Sequence, residues 1–538
     1  MPDPNLLHYG DNLDILRRYI PGESVDLIYL DPPFNSNANY NVLFAEQNGS
    51  RSAAQIQAFG DTWTWDEEAS RAYQETVETG GKVSQALQAF YMLLGSSNML
   101  AYLSMMAPRL VELHRVLKPT GSLYLHCDPT ASHFLKLLLD SIFGVEYFGN
   151  EIIWQRTNAK GLAFIRFAKN HDVIIRYTKS DKWIWNAQYT HYDEEYIKGF
   201  YRFVEPETER RYQLADLTNP NPDRPNLTYE FLGVTRVWRW TKERMQNAYN
   251  QGIILQTKPG TVPRLKRYLD EQEGMPIGDV WTDIPPIQAS SAERRGYPTQ
   301  KPVALLDRII QASSNPGDLV LDPFCGCGTT IASAQKLGRR WIGIDITHLA
   351  IGLIKRRLND SFGDQVHYKV IGEPVSVPDA EELAGHDPYQ FQWWALGLVD
   401  ARPVEGKKGA DQGIDGRLYF HDESKGKTKQ VVISVKAGHT SVNHLRDLRG
   451  VLDREQAQIA VLITMQEPSK PMHTEAASAG FYPSQWGSHP RLQILTIAEL
   501  LDGKKIDMPP IGQVNVTFKK APRNKDKTDQ PALLDDPE

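Results

Sequence analysis

Cysteine is nearly absent from these 538 residues: three occur, Cys127, Cys325 and Cys327. So few exclude a disulfide scaffold and leave too few thiolates for a structural zinc site, and a reducing cytoplasm is the expected compartment. No apolar run reaches the roughly 18 residues that read as a membrane span, and the opening MPDPNLLHYGDNLDIL lacks the basic-then-apolar layout of a secretory signal. No membrane association is expected. Tandem repeats and low-complexity tracts are missing as well. So is any excess of positive charge: 60 Lys and Arg stand against 66 Asp and Glu, net −6, which does not mark the whole chain as a nucleic-acid binder. Finally, no GxxxxGK[ST] phosphate loop occurs, and the glycine spacing does not fit GxGxxG.

What is present is apolar enough to fold, with 41% hydrophobic and 23% charged residues, and long enough for roughly two to four domains. The charge is unevenly spread. Between Arg156 and Asp270 there are 20 Lys and Arg against 13 Asp and Glu, so that stretch carries +7 and the remainder −13 of the −6 total. Periodicity gives an α/β grammar three times. A helix over Leu13–Tyr19 leads to the strand VDLIYL; VLKPTGSLYLHCD holds a strand at Ser122–His126 followed by a helix near His133–Phe143; and PGDLVLDPFCGCGTTIASAQKLGRRWIGIDIT forms one strand–loop–helix–strand unit ending at Trp341–Ile344. Residues ~180–295 break this rhythm with aromatics, scattered charge and Asn/Pro turns. We divide the chain at 1–180, 181–295 and 296–375, a Pro- and Glu-containing linker at 376–384, a further domain at 385–512, and a charged tail at 513–538.

Two loops carry chemistry. Asp31-Pro32-Pro33-Phe34 follows an apolar strand, where open α/β sheets place ligand chemistry. Such a loop suits methylation of a base amino group, whose lone pair is delocalised into the ring. The Asp31 carboxylate accepts one amino hydrogen and the Pro32 carbonyl the other, the prolines stiffen the loop, and Phe34 offers a stacking face to an extruded base. A bare strand-ending Asp-Pro turn is the plainer alternative. The second loop, Asp322-Pro323-Phe324-Cys325-Gly326-Cys327-Gly328-Thr329-Thr330, ends one strand and opens a helix; its glycines admit a close ligand, and Asp345 after the next strand suits ribose hydroxyls.

With both loops in this order, Leu6 to about Tyr368 resembles the β class of DNA amino-methyltransferases, in which the catalytic loop precedes the cofactor loop. YGDNL, LKPTGSLYLHCD, NEIIWQR and GYPTQKPVALLDRIIQASSNPGDLVLDPF fall in that family's order. The resemblance implies a Rossmann-like, permuted fold that binds S-adenosylmethionine. Asp11 is then expected near the adenine, Thr299, Gln300 and Lys301 at the methionine end, and Asp322, Phe324, Gly326, Gly328, Thr329 and Asp345 around the cofactor. Cys327 stands where the family usually has Ser. DPPF is similar to the adenine-modifying members; N4-cytosine methylation is the alternative. The inserted region then resembles a target-recognition domain for double-stranded DNA, with Arg236, Trp238, Arg239, Trp240 and Lys242 as contact candidates; a strand with a solvated basic face and a buried aromatic face is the plainer reading.

The C-terminal stretch from about Gln390 to Tyr482 resembles the Mrr-like restriction endonuclease domains of the PD-(D/E)XK superfamily. Asp415 matches the family aspartate and Lys436 its lysine, whereas Ser434 departs from the usual acid or Gln; Asp411 is a further acid nearby. The resemblance implies an α/β fold with Mg2+ at Asp415, and Ser434 weakens that site, leaving an active nuclease and an inert DNA clamp as alternatives. The expectation is thus an adenine-specific DNA methyltransferase in a restriction-modification or phage-defence setting. A bifunctional methyltransferase-endonuclease, a catalytically inactive DNA-binding adaptor and a homodimeric state are the alternatives left open.

Overall fold

The computed structural model describes residues 5–33, 65–158, 167–288, 291, 293, 300–404, 413–421 and 428–509. Phe34, Thr299, Asp411 and the tail at 513–538 lie outside them. The chain divides into two compact units, Ala187–Gly278 and the remainder.

The larger unit is built on a nine-stranded sheet. Its strands are β1 (Asn5–Tyr9), β2 (Val25–Leu30), β3 (Leu117–Cys127), β4 (Phe148–Gln155), β5 (His171–Thr178), β6 (Val280–Trp281), β7 (Leu319–Asp322), β8 (Arg340–Asp345) and β9 (Tyr368–Ile371), in the order β6-β4-β5-β3-β2-β7-β8-β1-β9. The run β3-β2-β7-β8-β1-β9 is parallel throughout, and β5 is antiparallel to both its neighbours. Every residue of VDLIYL in β2 is buried, as a central strand covered on both faces requires. Around the sheet lie α1 (Asn12–Tyr19), α2 (Glu67–Glu78), α3 (Gly81–Leu94), α4 (Asn98–Val116), α5 (Ser132–Phe143), α6 (Val303–Ser313), α7 (Thr329–Lys336) and α8 (His348–Phe362). Ile28 and Leu30 of β2, Leu123 and Leu125 of β3 and Leu321 of β7 join Leu103, Leu110 and Leu138 of the helices in one continuous core.

Pairing with β7 places β2 beside a strand about 290 residues away, which is how the permuted order of the two loops becomes a neighbourhood: Leu27 lies opposite Val320 and Ile28 opposite Leu321. The residues following β1, β2, β7 and β8 therefore share one edge of the sheet, the edge at which parallel strands end.

The C-terminal part carries its own five-stranded sheet. It comprises β10 (Arg402–Pro403), β11 (Gly416–Phe420), β12 (Lys429–Lys436), β13 (Ile459–Thr464) and β14 (Leu492–Thr496), in that order, with α9 (Val377–His386), α10 (Pro388–Leu398) and α11 (Val442–Arg454) packed against it. Residues 376–384, expected as a linker, are mostly the helix α9. Ser376 and Asp379 form a reciprocal capping box and Ala380 is fully buried in the domain core, so the Pro and Glu that suggested a linker instead belong to a helix start.

The smaller unit, Ala187–Gly278, is narrower than the 181–295 expected for the insertion, because Val280–Trp281 returns to the large sheet beside β4. It holds a four-stranded antiparallel sheet, a hairpin of Thr228–Phe231 with Val234–Val237, and the helix Lys242–Asn250. Leu217, Phe231, Trp238, Met245 and Ile254 form its core.

Candidate active site at the carboxyl ends of the central strands

Asp31 stands one residue beyond β2, with Pro32 buried behind it. Its carboxylate is ion-paired with the Lys301 ammonium, and both side chains are largely shielded from solvent. Asp322 closes the neighbouring β7, and Asp345 closes β8 beyond that. Gly326 and Gly328 take φ of +49° and +72°, and a Cβ on Gly328 would stand 2.7 Å from Ile354 Cγ1, so the loop conformation requires glycine there. The loop is tied to the acid after β8: Gly326 N donates to Asp345 Oδ2 at 2.9 Å, while Thr347 donates to Oδ1 through both its amide and its hydroxyl.

Asp11 caps α1 by accepting from the Leu13 amide at 2.8 Å and pairs with Arg109 at 2.6 Å. Asn12 joins this turn to the glycine loop, donating to the Pro323 carbonyl at 2.9 Å while accepting from Arg109 Nε. Gln300 donates to the Glu293 carbonyl, Phe324 packs against the core, and buried Thr329 accepts from Arg357. Asp11, Asp31, Lys301, Asp322, Phe324, Gly326, Gly328, Thr329 and Asp345 thus gather at one sheet edge. Sequence reasoning missed Arg109, Asn12 and Arg357, which anchor it.

The electrostatics of this edge are unbalanced. Burial, reinforced by the charges of Asp31 and Asp345, lifts the Asp322 carboxyl to about 7, although Thr330 and the Phe324 amide donate to it. Burial lifts Asp345 to about 6 against its donors from Thr347 and Gly326. Two acids that burial holds toward their neutral forms are ones whose ionisation a cationic ligand would favour. S-adenosylmethionine, with a sulfonium and an ammonium, is such a ligand, and the glycine turn leaves room for close approach. The cysteines contribute nothing ionic: Cys127, Cys325 and Cys327 are buried, and burial pushes their thiols upward.

Residues 25–356 match the family described as DNA methylase of the N6/N4 type. The chain belongs to this DNA methylase family. The methylase is 30% identical over 394 residues to the type II methyltransferase M.EcaI of Enterobacter cloacae, a match spanning 71% of this chain and 76% of that one. It is 28% identical to the DNA adenine methyltransferase YhdJ of Escherichia coli K12, spanning 65% and 81%. Among solved structures, the M1.HpyAVI–SAM complex aligns with a TM-score of 0.31 and 16% identity over 66% of this chain and 99% of that one.

Residues 391–502 of the methylase match a second family, described as NACHT-associated inactive Restriction Endonuclease 1. The expectation of an Mrr-like domain gives way to the coarser statement that this domain is endonuclease-like. Of the residues expected here, Asp411 lies outside the described residues, and Asp415, Ser434 and Lys436 lie together. Asp415 Oδ2 accepts from Ser434 Oγ at 3.0 Å and the Val435 amide at 2.6 Å and faces Lys436 Nζ at 3.5 Å; Oδ1 accepts from Gln392 at 3.2 Å. Both oxygens are engaged by protein donors, and among the described residues no group of three or more His, Cys, Asp or Glu could hold a metal ion. Among the described residues the donor set does not fit the Mg2+ expected at Asp415.

In the smaller unit Arg236, Arg239 and Lys242 are exposed. Trp238 is not available for stacking: it is fully buried in that unit's core, with its indole N–H donating to the Tyr229 carbonyl at 2.8 Å. The alternation that suggested an aromatic contact face turned this ring inward. Trp240 is half-buried under the Arg244 guanidinium, 4.2 Å from the ring centroid.

Proposed function

We propose that this methylase transfers the methyl group of S-adenosylmethionine to the exocyclic amino group of adenine in double-stranded DNA, in a restriction-modification setting. One observation carries the reading: the Asp31 carboxylate stands beside the strand ends that bear Asp322 and Asp345, held by Lys301 with its acceptor oxygens at the site. The bound cofactor supplies an electrophilic methyl; the chain supplies acceptors. Asp31 and the Pro32 carbonyl take the two amino hydrogens, so the nitrogen lone pair leaves conjugation and turns to the methyl. Adenine is favoured by the DPPF loop, and the similarity to a relative named an adenine methyltransferase agrees with it. Incubating the full-length protein with unmethylated plasmid and S-adenosylmethionine, then identifying the modified base, tests this: N6-methyladenine is expected, N4-methylcytosine overturns the adenine assignment, and no methylation overturns the whole.

The smaller unit reads DNA in this proposal. Replacing Arg236, Arg239 or Lys242 by Ala is expected to weaken DNA binding evenly across sequences and to reduce the slope of log affinity against log salt by about one per residue. Trp238→Ala should instead lower the melting temperature of the unit, with a loss on the order of 3–5 kcal/mol. A salt-slope change for Trp238→Ala with unchanged melting would reverse these roles.

The C-terminal domain holds DNA or protein rather than cutting DNA. Supercoiled plasmid is expected to remain supercoiled with Mg2+ present, and methyl transfer to survive EDTA; nicking that follows Mg2+ and disappears in Lys436→Ala would establish a nuclease instead.

A further inference from the structure

A row of polar side chains crosses the sheet core from β2 through β3 to β5. Tyr29 Oη lies 2.8 Å from His126 Nδ1, and His126 Nε2 lies 3.2 Å from Asp172 Oδ2. The other Asp172 oxygen faces Arg156 Nε at 3.3 Å. Tyr29 and Asp172 are each 2% exposed and His126 is 0% exposed. Tyr29 lies on β2 two residues before Asp31, which follows the end of that strand. A core position of this kind is filled more cheaply by Phe and Leu, since each buried polar group loses hydration that its partners only offset. Packing alone gives no reason for three in a row.

The direction of the hydrogens supplies one. A carboxylate only accepts, so His126 Nε2 carries the hydrogen that points to Asp172, and in the neutral ring Nδ1 then accepts from the Tyr29 hydroxyl. Asp172 remains ionised because the hydrogen bond from His126 and the charges of Lys301 and Arg156 outweigh its burial. Burial, reinforced by the charges of Asp31, Asp322 and Asp172, holds the Tyr29 hydroxyl proton tightly. Without His126 as acceptor, that hydrogen is left in the field of those negative charges.

We propose that Asp172 and His126 are positioning residues that aim the Tyr29 hydroxyl hydrogen away from the active-site carboxylates, keeping Asp31, held by Lys301, able to accept its amino hydrogen from the target base. The inference rests on the methyltransferase reading above. It makes Tyr29 harmless only while its hydrogen is captured. Asp172→Asn presents an amide N–H to Nε2, moves the ring hydrogen to Nδ1, and reverses the row, so that the Tyr29 hydrogen is released toward Asp31.

The test is single-turnover methyl transfer from tritiated S-adenosylmethionine to unmethylated plasmid by the full-length protein, with cofactor affinity and melting temperature measured alongside. Asp172→Asn is expected to slow transfer by about a hundredfold, the scale of a lost transition-state acceptor, with cofactor Kd within about twofold. Tyr29→Phe is expected to cost only a few-fold, through the acceptor left unpaired on His126. The double variant should return to the Tyr29→Phe rate, because the misdirected donor is gone. A purely structural row predicts losses that add, and additive losses, or an Asp172→Asn enzyme as fast as wild type, overturn the proposal. Should Asp172→Asn fail to fold, His126→Phe removes the same acceptor: suppression by Tyr29→Phe is expected there too, and its absence overturns the proposal equally. A wild-type protein that transfers no methyl group defeats the parent reading instead, so the two failures are distinct.

Discussion

Replacing Asp31 by Ala is expected to reduce methyl transfer by about a thousandfold or more while leaving S-adenosylmethionine affinity within a few-fold of wild type. Removing one preorganised hydrogen-bonding group at a reacting centre typically costs 10²–10³ in rate, and here the lost group is also the charged one. Lys301 sharpens the expectation, since the truncation leaves its ammonium without the Asp31 carboxylate at the position where positive charge develops on the attacking nitrogen. Cofactor affinity should survive because the glycine loop, Asp322 and Asp345 lie on neighbouring strands and keep their own donors. Isothermal titration with the cofactor beside single-turnover kinetics separates the two quantities. Near-normal turnover would remove Asp31 from the mechanism altogether.

The second large effect concerns pH. With its pKa raised from 3.8 to about 7, Asp322 holds a proton in the folded, ligand-free chain that the unfolded chain has already released. The stabilising contribution of that proton is therefore full below about pH 4 and is lost as pH rises through about 7, on the order of a few kcal/mol across the window. A cationic ligand acts in the opposite sense, since it favours the ionised acid. Wild-type affinity for S-adenosylmethionine should strengthen by about tenfold from pH 6 to pH 8, with release of a proton on binding. Asp322→Asn should flatten that dependence, weaken binding at pH 8, and melt at a higher temperature than wild type there when no ligand is bound. Parallel pH dependence in the variant and wild type would assign the linkage elsewhere; Asp345, pushed up to about 6, is the neighbouring acid in the same window.

How much of this was readable in advance follows the separation of the residues. DPPF and the glycine loop are contiguous, and their flanking strands announce themselves through apolar runs, so both could be located from spacing and each was followed or preceded by the expected element. The partners were not contiguous. Tyr29 and His126 are 97 residues apart, and Lys301 and Asp31 are 270 apart, and no local pattern links such positions. Polar residues inside an otherwise apolar strand, as in SLYLHC, were the available signal for the row. Trp238 shows the opposite difficulty: a basic and aromatic alternation describes a contact face and a buried hairpin equally well, and only the packing against Phe231 and Met245 decides. Residues 376–384 carried a linker composition, yet Ser376 and Asp379 stood at the spacing of a helix cap.

The methylase part and the endonuclease-like domain cannot part company cleanly. The first turn of α8 begins three residues after Asp345, and the amide of His348 in that turn is bonded at 3.1 Å to Gln390 of α10, in the endonuclease-like domain; Arg356 further along α8 is paired with Asp400. His348 is itself stacked on Tyr9, with ring centroids 3.6 Å apart, at the end of β1. The two halves are therefore not beads on a string. A chain truncated before residue 390 would lose the acceptor that Gln390 offers the first turn of α8, three residues from Asp345 at the cofactor edge.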